Sequence, residues 1–255
     1  MHIKTTVAIG AQVLLPLLGA PAHAVLPLAQ IGPSVAQAEA GPNGDSHTST
    51  SFGTVSAASS GVCGSGPGSG SSSATVTAAG GVSANATSSD FACAGGTAIA
   101  RLIYYFELAG PSGVNVPTFI EASGEVSGDV LGLSYVSFLV NGVIAQELVQ
   151  GDGSFSTAGP YSVPSDTTIA VEMSAYTQAA VSNGSTAPAD ISAFIGPPRI
   201  QVDPTFARAS GFTPVFSPNL VVVAAVPEPS TWALMLAAFA GVPLVARRWR
   251  RGAAT

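Results

Sequence analysis

The sequence predicts an all-β protein whose central part forms a single antiparallel β-sandwich. Short segments rich in β-branched and aromatic residues alternate apolar and polar side chains with a period of two. Glycine, proline and Asn-Gly turn signals separate these segments at short intervals, and the part between the two chain ends shows no amphipathic helical period. A segment of about 200 residues is long enough to bury a real core in one all-β domain.

The strongest predicted strand covers residues 99–108. Leu102, Tyr104, Phe106 and Leu108 occupy every second position there, and a Gly-Pro-Ser-Gly turn follows. The intervening positions include an arginine and a glutamate, so we expect one face of this strand to be buried and the other to be more polar.

Two features mark the strands that come next. Pro117 interrupts the predicted strand over residues 114–122, which suggests an edge strand or a bulge because proline cannot donate to a sheet ladder. The Asn-Gly pair at 141–142 tolerates the positive φ angles of a two-residue turn, so residues 133–140 and 143–149 are predicted to form a hairpin. Further strands are expected around Phe155 and Tyr161, and over 168–176, 200–202 and 220–224.

The region before residue 99 has smaller side chains. Residues 25–45 show no clear period and are predicted to be a linker, which places the sandwich domain at residues 46–224. The Ser/Gly composition of residues 46–73 is typical of a flexible loop. Short strands with small side chains are expected around it, at 51–55, 74–78 and 82–87. We expect them to pack against the later strands, which have larger side chains.

The first 24 residues have the pattern of a secretory signal peptide. A positive start at residues 1–4 precedes a helical apolar stretch over 5–19, and Ala22 and Ala24 supply the small-x-small cleavage pattern. Cleavage is expected after Ala24, so the Sec-type export machinery is an expected partner.

Residues 225–255 combine three segments of different physical character. Pro227 and Pro229 hold Glu228 in an extended backbone, because proline fixes its own φ and disfavours helix in the residue before it. The apolar run at 232–246 has 15 residues. As a helix it would be about 22 Å long, short of a bilayer core of about 30 Å. Four arginines follow it and favour cytoplasmic retention: Arg247, Arg248, Arg250 and Arg251.

In this order and spacing, the three segments resemble the PEP-CTERM sorting domain of Gram-negative bacteria that make extracellular polysaccharide. The resemblance covers residues 226–251. It implies recognition of the Pro-Glu-Pro triplet by an exosortase-type membrane enzyme, transient anchoring by the C-terminal hydrophobic helix, and delivery to the cell envelope or extracellular matrix. The residues alone leave an ordinary tail anchor as the alternative. A second resemblance, to sandwich ectodomains of such proteins, covers residues 200–206 and 216–218 and implies a jelly-roll-like arrangement.

Charge limits the range of partners. Residues 25–226 contain three arginines and 13 acidic residues, which gives a formal charge of −10. A surface this acidic repels phosphate backbones, so nucleic acid is not expected as a partner.

Cys63 and Cys93 are the only cysteines. In an exported chain two cysteines most simply form one disulfide. Closing a loop of about 30 residues would stabilise the fold by about 3–4 kcal/mol in the chain-entropy model. Metal binding would need more ligands than two thiols, and no metal or other cofactor is expected.

Residues for catalysis are sparse. His47 is the one histidine left after signal cleavage, and it lies in a Ser/Thr-rich stretch without a nucleophile motif. Glu121 and Glu125 could form a glycosidase pair in principle, but exposed carboxylates on a strand are common. Aspartates at 129, 152 and 166 lie in turns, where such side chains cap backbone amides. Calcium at one of these turns is the alternative, but no Asp-x-Asp-x-Asp repeat supports it. We therefore expect no enzymatic activity.

The leading hypothesis is a structural or adhesive surface protein that acts among extracellular polysaccharide or in a biofilm. A carbohydrate-binding sandwich is the alternative, because exposed aromatic rings can stack on sugars. The candidate rings belong to Tyr104, Tyr105, Tyr135 and Tyr176. A secreted hydrolase is the third hypothesis, disfavoured by the scarcity of histidine.

Overall fold

A computed structural model of the protein describes residues 25–40, 44–63, 66–89, 94–128, 132–149, 153–179 and 188–221. Within these ranges the regular structure consists of β-strands and one short 3₁₀ helix, Ala209–Gly211. The strands form two antiparallel sheets that pack face to face, with the core between them. The predicted all-β sandwich is therefore confirmed.

In chain order the strands are β1 (Gln30–Ile31), β2 (Ser34–Ala40), β3 (Asp45–Ser49), β4 (Gly53–Cys63), β5 (Gly66–Val76), β6 (Val82–Ser88), β7 (Ala94–Ala109), β8 (Asn115–Gly128), β9 (Leu133–Val140), β10 (Val143–Val149), β11 (Gly153–Pro164), β12 (Ile169–Ala179), β13 (Ala189–Ile195), β14 (Arg199–Val202) and β15 (Thr213–Phe216). The first sheet has the order β10-β9-β12-β7-β2-β3, with β1 and β15 also paired to β7. The second sheet has the order β11-β8-β13-β6-β5-β4, with β14 also paired to β8.

Strand β7 is the centre of the first sheet and is paired along both edges. On one edge it pairs with β12 from Gly96 to Phe106. On the other edge it meets β2, β1 and β15 in succession. Its inward side chains from Leu102 to Leu108 are fully buried, because the alternation seen in the sequence places every second residue in the core.

The inward side chains of β7 change in size along the strand. Its first half presents Ala94, Gly96, Ala98 and Ala100 to the opposite sheet, and its second half presents Leu, Tyr, Phe and Leu. A Cβ added at Gly96 would overlap the backbone carbonyl oxygen of Ser71 on β5. The two sheets therefore approach more closely here than the usual spacing of about 10 Å.

We call this region the narrow end of the sandwich. Small inward-facing residues on β2, β4, β5 and β7 line it: Ala36, Ala38, Ala57, Gly68, Gly70, Ser72, Ala94, Gly96 and Ala98. The predicted flexible loop at residues 46–73 is accordingly wrong, since most of it forms β3, β4 and β5. Serine and glycine occupy these strands because larger side chains would not fit between the sheets.

The predicted linker at residues 25–45 is also wrong in the part that the structure describes. Strand β2 pairs with β7 inside the first sheet, and Leu26 and Ala29 are buried. The backbone amide of Ala29 donates to the side-chain oxygen of Asn219 at 2.7 Å, which ties the two ends of the described chain together.

Pro117 lies in a central strand rather than at an edge or a bulge. The pairing of β8 with β11 runs without a register shift through Ser162 and Pro117. On the other side of β8, pairing with β14 starts one residue later, at Thr118. The position where Pro117 lacks an N–H therefore lies just beyond the end of β14. No hydrogen bond of the β8–β14 ladder is lost there.

The hairpin prediction is confirmed. Asn141 and Gly142 have φ angles of 50° and 73° between β9 and β10. The strands predicted over 99–108, 168–176 and 200–202 are present as parts of β7, β12 and β14. In contrast, Leu220 and Val221 are not in a strand, and the rest of the predicted strand at 220–224 lies outside the described residues.

The two terminal segments, residues 1–24 and 222–255, lie outside the described residues, and so do Cys93 and the side chain of Cys63. The signal peptide, the C-terminal helix and the disulfide therefore stay predictions. Within the described ranges there is no helix of the length and apolar character that a membrane span requires.

Two buried threonines provide a test of polar burial in this core. The Thr177 hydroxyl finds no hydrogen-bond partner among the described residues, whereas the Thr118 hydroxyl donates to the Val116 carbonyl at 3.1 Å. Both side chains are 0% exposed. Thr177→Val should raise the free energy of unfolding by about 1 kcal/mol, because it removes an unsatisfied polar group at constant shape. The matched Thr118→Val should lower it by about 0.5–1.5 kcal/mol. Denaturant unfolding that finds both variants equally destabilised would contradict this account.

A glycine pair tests the close approach at the narrow end. Gly96→Ala should destabilise the fold by about 1–3 kcal/mol or more, because its methyl group meets backbone that cannot move aside. Gly211→Ala is the control, since a Cβ there has no neighbour within 4 Å. It should change stability by less than about 0.5 kcal/mol. Thermal unfolding of both variants gives the comparison, and equal shifts would argue against a steric cause.

Candidate functional site

The outer face of the first sheet carries a row of aromatic and apolar side chains. Tyr135 on β9 lies directly opposite Tyr176 on β12. Tyr176 is in turn opposite Ile99 on β7, and Ile99 is opposite Val35 on β2. These side chains are half-buried and point away from the core, because each strand places alternate residues outside.

The two tyrosine rings stack on each other. Their centroids are 5.2 Å apart and their planes differ by 23°. The Tyr176 hydroxyl donates to the side-chain oxygen of Gln178 at 2.8 Å. Desolvation by burial, and then the neighbouring Tyr135, raise the pKa of the Tyr176 phenol. The phenol therefore stays neutral, and able to donate, beyond its ordinary pKa of about 10.

An ion pair lies next to this row. The Arg101 guanidinium contacts Glu172 Oε1 through Nη2 at 2.7 Å and through Nε at 2.8 Å. The aliphatic part of Arg101 packs against the backbone of Gly32, where an added Cβ would lie 3.0–3.2 Å from it. Both charged side chains are partly exposed, so the pair contributes at most about 1 kcal/mol to stability but holds both polar groups in place.

We call this surface the tyrosine face: Ile99, Arg101, Tyr135, Glu172, Tyr176 and Gln178. It combines aromatic rings with a small number of oriented hydrogen-bonding groups, as ligand sites in proteins usually do. Each ring has one face covered by the other. A ligand would therefore contact the ring edges, the remaining ring faces and the adjacent polar groups.

The candidate tyrosines separate into two groups. Tyr104 is buried in the core and is 1% exposed, so it is wrong as a candidate for contact with a ligand, and burial raises its pKa far above the ordinary value. Tyr105 points outward on β7 but stands apart from the stacked pair, opposite Ala170. The alternation within β7 already predicted the burial of Tyr104.

The candidate catalytic residues lie apart from one another. His47 Nε2 lies 3.1 Å from Asp45 Oδ2, and both side chains are about half exposed on β3. Glu121 and Glu125 share the outer face of β8. Four residues along a strand span about 13 Å, more than the roughly 5–9.5 Å between the carboxyl groups of glycosidases.

Acidic residues in turns are described only in part. Asp166 is exposed in the turn after β11, with a φ of 61°. The aspartates at 129 and 152 lie outside the described residues. In the part of the chain that the structure describes, no three His, Cys, Asp or Glu residues group closely enough to hold a metal ion.

The sorting residues lie outside the described residues: Ala22, Ala24, Pro227, Glu228, Pro229, Arg247, Arg248, Arg250 and Arg251. The described chain ends at Val221, whose amide donates to the Ala78 carbonyl at 2.8 Å. The described part of the chain therefore ends beside the turn between β5 and β6.

Sequence reasoning missed Arg101, Glu172 and Gln178 as parts of a candidate site. The period of two placed Arg101 on the polar side of β7, and Glu172 on one side of β12. The pairing of β7 with β12, and therefore the contact between them, could not be derived from either strand alone.

Comparison with known proteins supports the sorting signal predicted at the C-terminus. Residues 225–251 match the family model described as the PEP-CTERM protein-sorting motif. No curated protein matches the chain. A solved structure described as TmCBM61 in complex with beta-1,4-galactotriose is 8% identical and aligns over 48% of this chain and 71% of that chain, with a TM-score of 0.24. A TM-score this low is not evidence for a shared fold or a shared ligand.

Proposed function

We propose that the chain is a PEP-CTERM domain-containing protein that is exported, sorted by an exosortase and delivered to the cell envelope or extracellular matrix. The match of residues 225–251 to the sorting motif carries this proposal. Residues 1–24 serve as the signal peptide for Sec-type export.

The tail acts through two opposing physical properties. Its four arginines stall translocation, because carrying guanidinium groups through hydrocarbon is costly. Because its apolar helix is short, the Pro-Glu-Pro triplet stays close to the periplasmic surface of the inner membrane. The prolines keep Glu228 extended, where a membrane-embedded processing enzyme reaches it.

The anchoring of Val221 supports this arrangement. Pro227 follows Val221 by six positions, with five residues between them. Fully extended, six positions span at most about 22 Å. The sorting triplet therefore lies near the folded sandwich, and the membrane holds the sandwich close to its surface until processing.

We infer a structural or adhesive role for the sandwich, with a jelly-roll-like strand arrangement, in a polysaccharide or biofilm matrix. Consecutive strands often cross from one sheet to the other, as from β6 to β7 and from β7 to β8, which supports that arrangement. A non-enzymatic role is supported by the exposed position of His47 and by the separation of Glu121 from Glu125. The disulfide between Cys63 and Cys93 remains part of the proposal.

The tyrosine face favours carbohydrate binding as a second candidate function. Tyr135 and Tyr176 offer apolar ring surface, and Arg101, Glu172 and Gln178 offer hydrogen bonds beside it. Sugars present apolar C–H faces and hydroxyl groups together, which fits this combination. The ligand class would be a neutral segment of the extracellular polysaccharide, since the acidic protein repels anionic polymers.

Processing is tested in the native host by two sets of substitutions. Glu228→Ala should block cleavage and leave full-length chain in the inner membrane. Replacing Arg247, Arg248, Arg250 and Arg251 with serine should let unprocessed chain escape to the periplasm, because the charge barrier is removed. Glu147→Ala, an exposed glutamate on β10, is the control and should be processed normally. Mass spectrometry of the C-terminus provides the measurement. If wild-type chains ending at Thr255 persist in the membrane while the sorting enzyme is present, the tail is a plain anchor.

Carbohydrate binding is tested with Tyr176→Ala and oligosaccharides from the host polysaccharide. The substitution should weaken binding by about fivefold or more, because it removes one ring of the stack. Phe194→Ala is the control: this ring is 46% exposed on the second sheet, away from the tyrosine face. Isothermal titration of both variants separates the outcomes. Equal weakening, or no binding by the wild type, would reject the tyrosine face as a sugar site and leave the structural role.

A further inference from the structure

The two sheets have four long edges, formed by β3 and β10 in the first sheet and by β4 and β11 in the second. A strand at an edge presents unpaired N–H and C=O groups, which can pair with a strand of another chain. Proteins that remain monomeric usually protect such edges by short strands, charges, prolines or bulges.

Three of the four edges carry these protections. Strand β3 has only five residues and includes Asp45 and His47. Strand β10 has a register shift between Ile144 and Gln146, and it carries an exposed glutamate. Strand β11 contains Pro160 and Pro164. The additional strands β1, β14 and β15 have four residues or fewer.

Strand β4 has none of these protections. It has 11 residues, without a charged residue or a proline. Its pairing with β5 runs without a register shift from Gly53 opposite Val76 to Cys63 opposite Gly66. Among the described residues β4 pairs with β5 and with no strand on its other edge. Thr54, Ser56, Ala58 and Ser60 are exposed and small.

We propose that β4 pairs in antiparallel orientation with β4 of a second copy of this chain. A two-fold axis near Ala58, the middle residue of β4, would join the two second sheets into one continuous sheet. This inference goes beyond sorting and does not depend on carbohydrate binding.

The charge distribution favours this edge as the place where a second copy approaches. Two chains with a formal charge of −10 each repel one another over most of their surfaces. Residues 53–76, which include β4 and its neighbour β5, contain no charged residue. This edge is therefore where two copies approach with the least repulsion.

The experiment uses full-length chains that carry two different epitope tags and are produced together in the native host. Each tag is inserted in the exposed turn at Asn141 and Gly142, which lies on the first sheet away from β4. The cell envelopes are extracted in the presence of a thiol-blocking reagent, which prevents disulfide exchange from linking two chains. Wild-type chains with different tags should be purified together.

Charged substitutions at Ala58 then test the register of the proposed pairing between the two β4 strands. In the proposed dimer the two copies of Ala58 are opposite each other, so Ala58→Lys in both chains places like charges together and should reduce co-purification by about fivefold. Ala58→Glu in both chains should have the same effect. One Ala58→Lys chain with one Ala58→Glu chain should restore co-purification, which also shows that both variants fold. Ser156→Lys, on the exposed face of β11, is the control with the same charge and should leave co-purification unchanged.

Several outcomes would overturn the proposal. The proposal fails if wild-type chains with different tags do not co-purify. It also fails if Ser156→Lys reduces co-purification as much as Ala58→Lys does, or if the combination of Ala58→Lys and Ala58→Glu chains does not restore it. Amide exchange of residues 53–63 adds a readout that needs no substitution: protection should increase with protein concentration. Equal protection at all dilutions would mean that a segment of the same chain covers the edge. Because sorting is measured by the processed C-terminus, its failure is distinguishable from a failure of pairing at β4.

Discussion

The change in side-chain size along β7 is the constraint on which the rest of the sandwich depends. Its large second half fills a core in which Tyr104, Phe106 and Phe138 are fully buried. Its small first half brings the two sheets almost into backbone contact at Gly96 and Ser71. Strand β2, which pairs with β7, and strands β4 and β5 of the facing sheet must therefore be built from Gly, Ala and Ser at this end. Their composition follows from their position at the narrow end of the sandwich.

Much of the heavier part of the fold could be predicted from the sequence, because strand period and turn chemistry are local. Residues 99–108 and the Asn-Gly hairpin belong to this class. Strands β4 and β5 could not be predicted in the same way, since their glycines and serines fit a space that distant residues define. Likewise, the tyrosine face depends on the pairing of β12 with β7 and β9, a long-range contact that no single segment encodes.

The proposed roles use different parts of one scaffold. Sorting belongs to the tail, which follows Val221, the last described residue, whose amide donates to the Ala78 carbonyl. The tyrosine face lies on the first sheet, and the unprotected edge at β4 belongs to the second. A chain held at the membrane, joined to a second copy through β4, would keep both tyrosine faces free, because pairing at an edge covers neither outer face. Two weak sugar sites on one assembly would bind a polymer more strongly than either site alone.

The scarcity of basic residues has a consequence for the resistance of the protein to proteolysis. Between residues 25 and 226 there is no lysine, and the three arginines are Arg101, Arg199 and Arg208. Two of them lie within strands, and Arg101 is also held by Glu172. Only Arg208 is exposed outside a strand, just before the 3₁₀ helix. Proteases that cleave after basic residues need an extended, accessible segment, and this fold offers them a single turn.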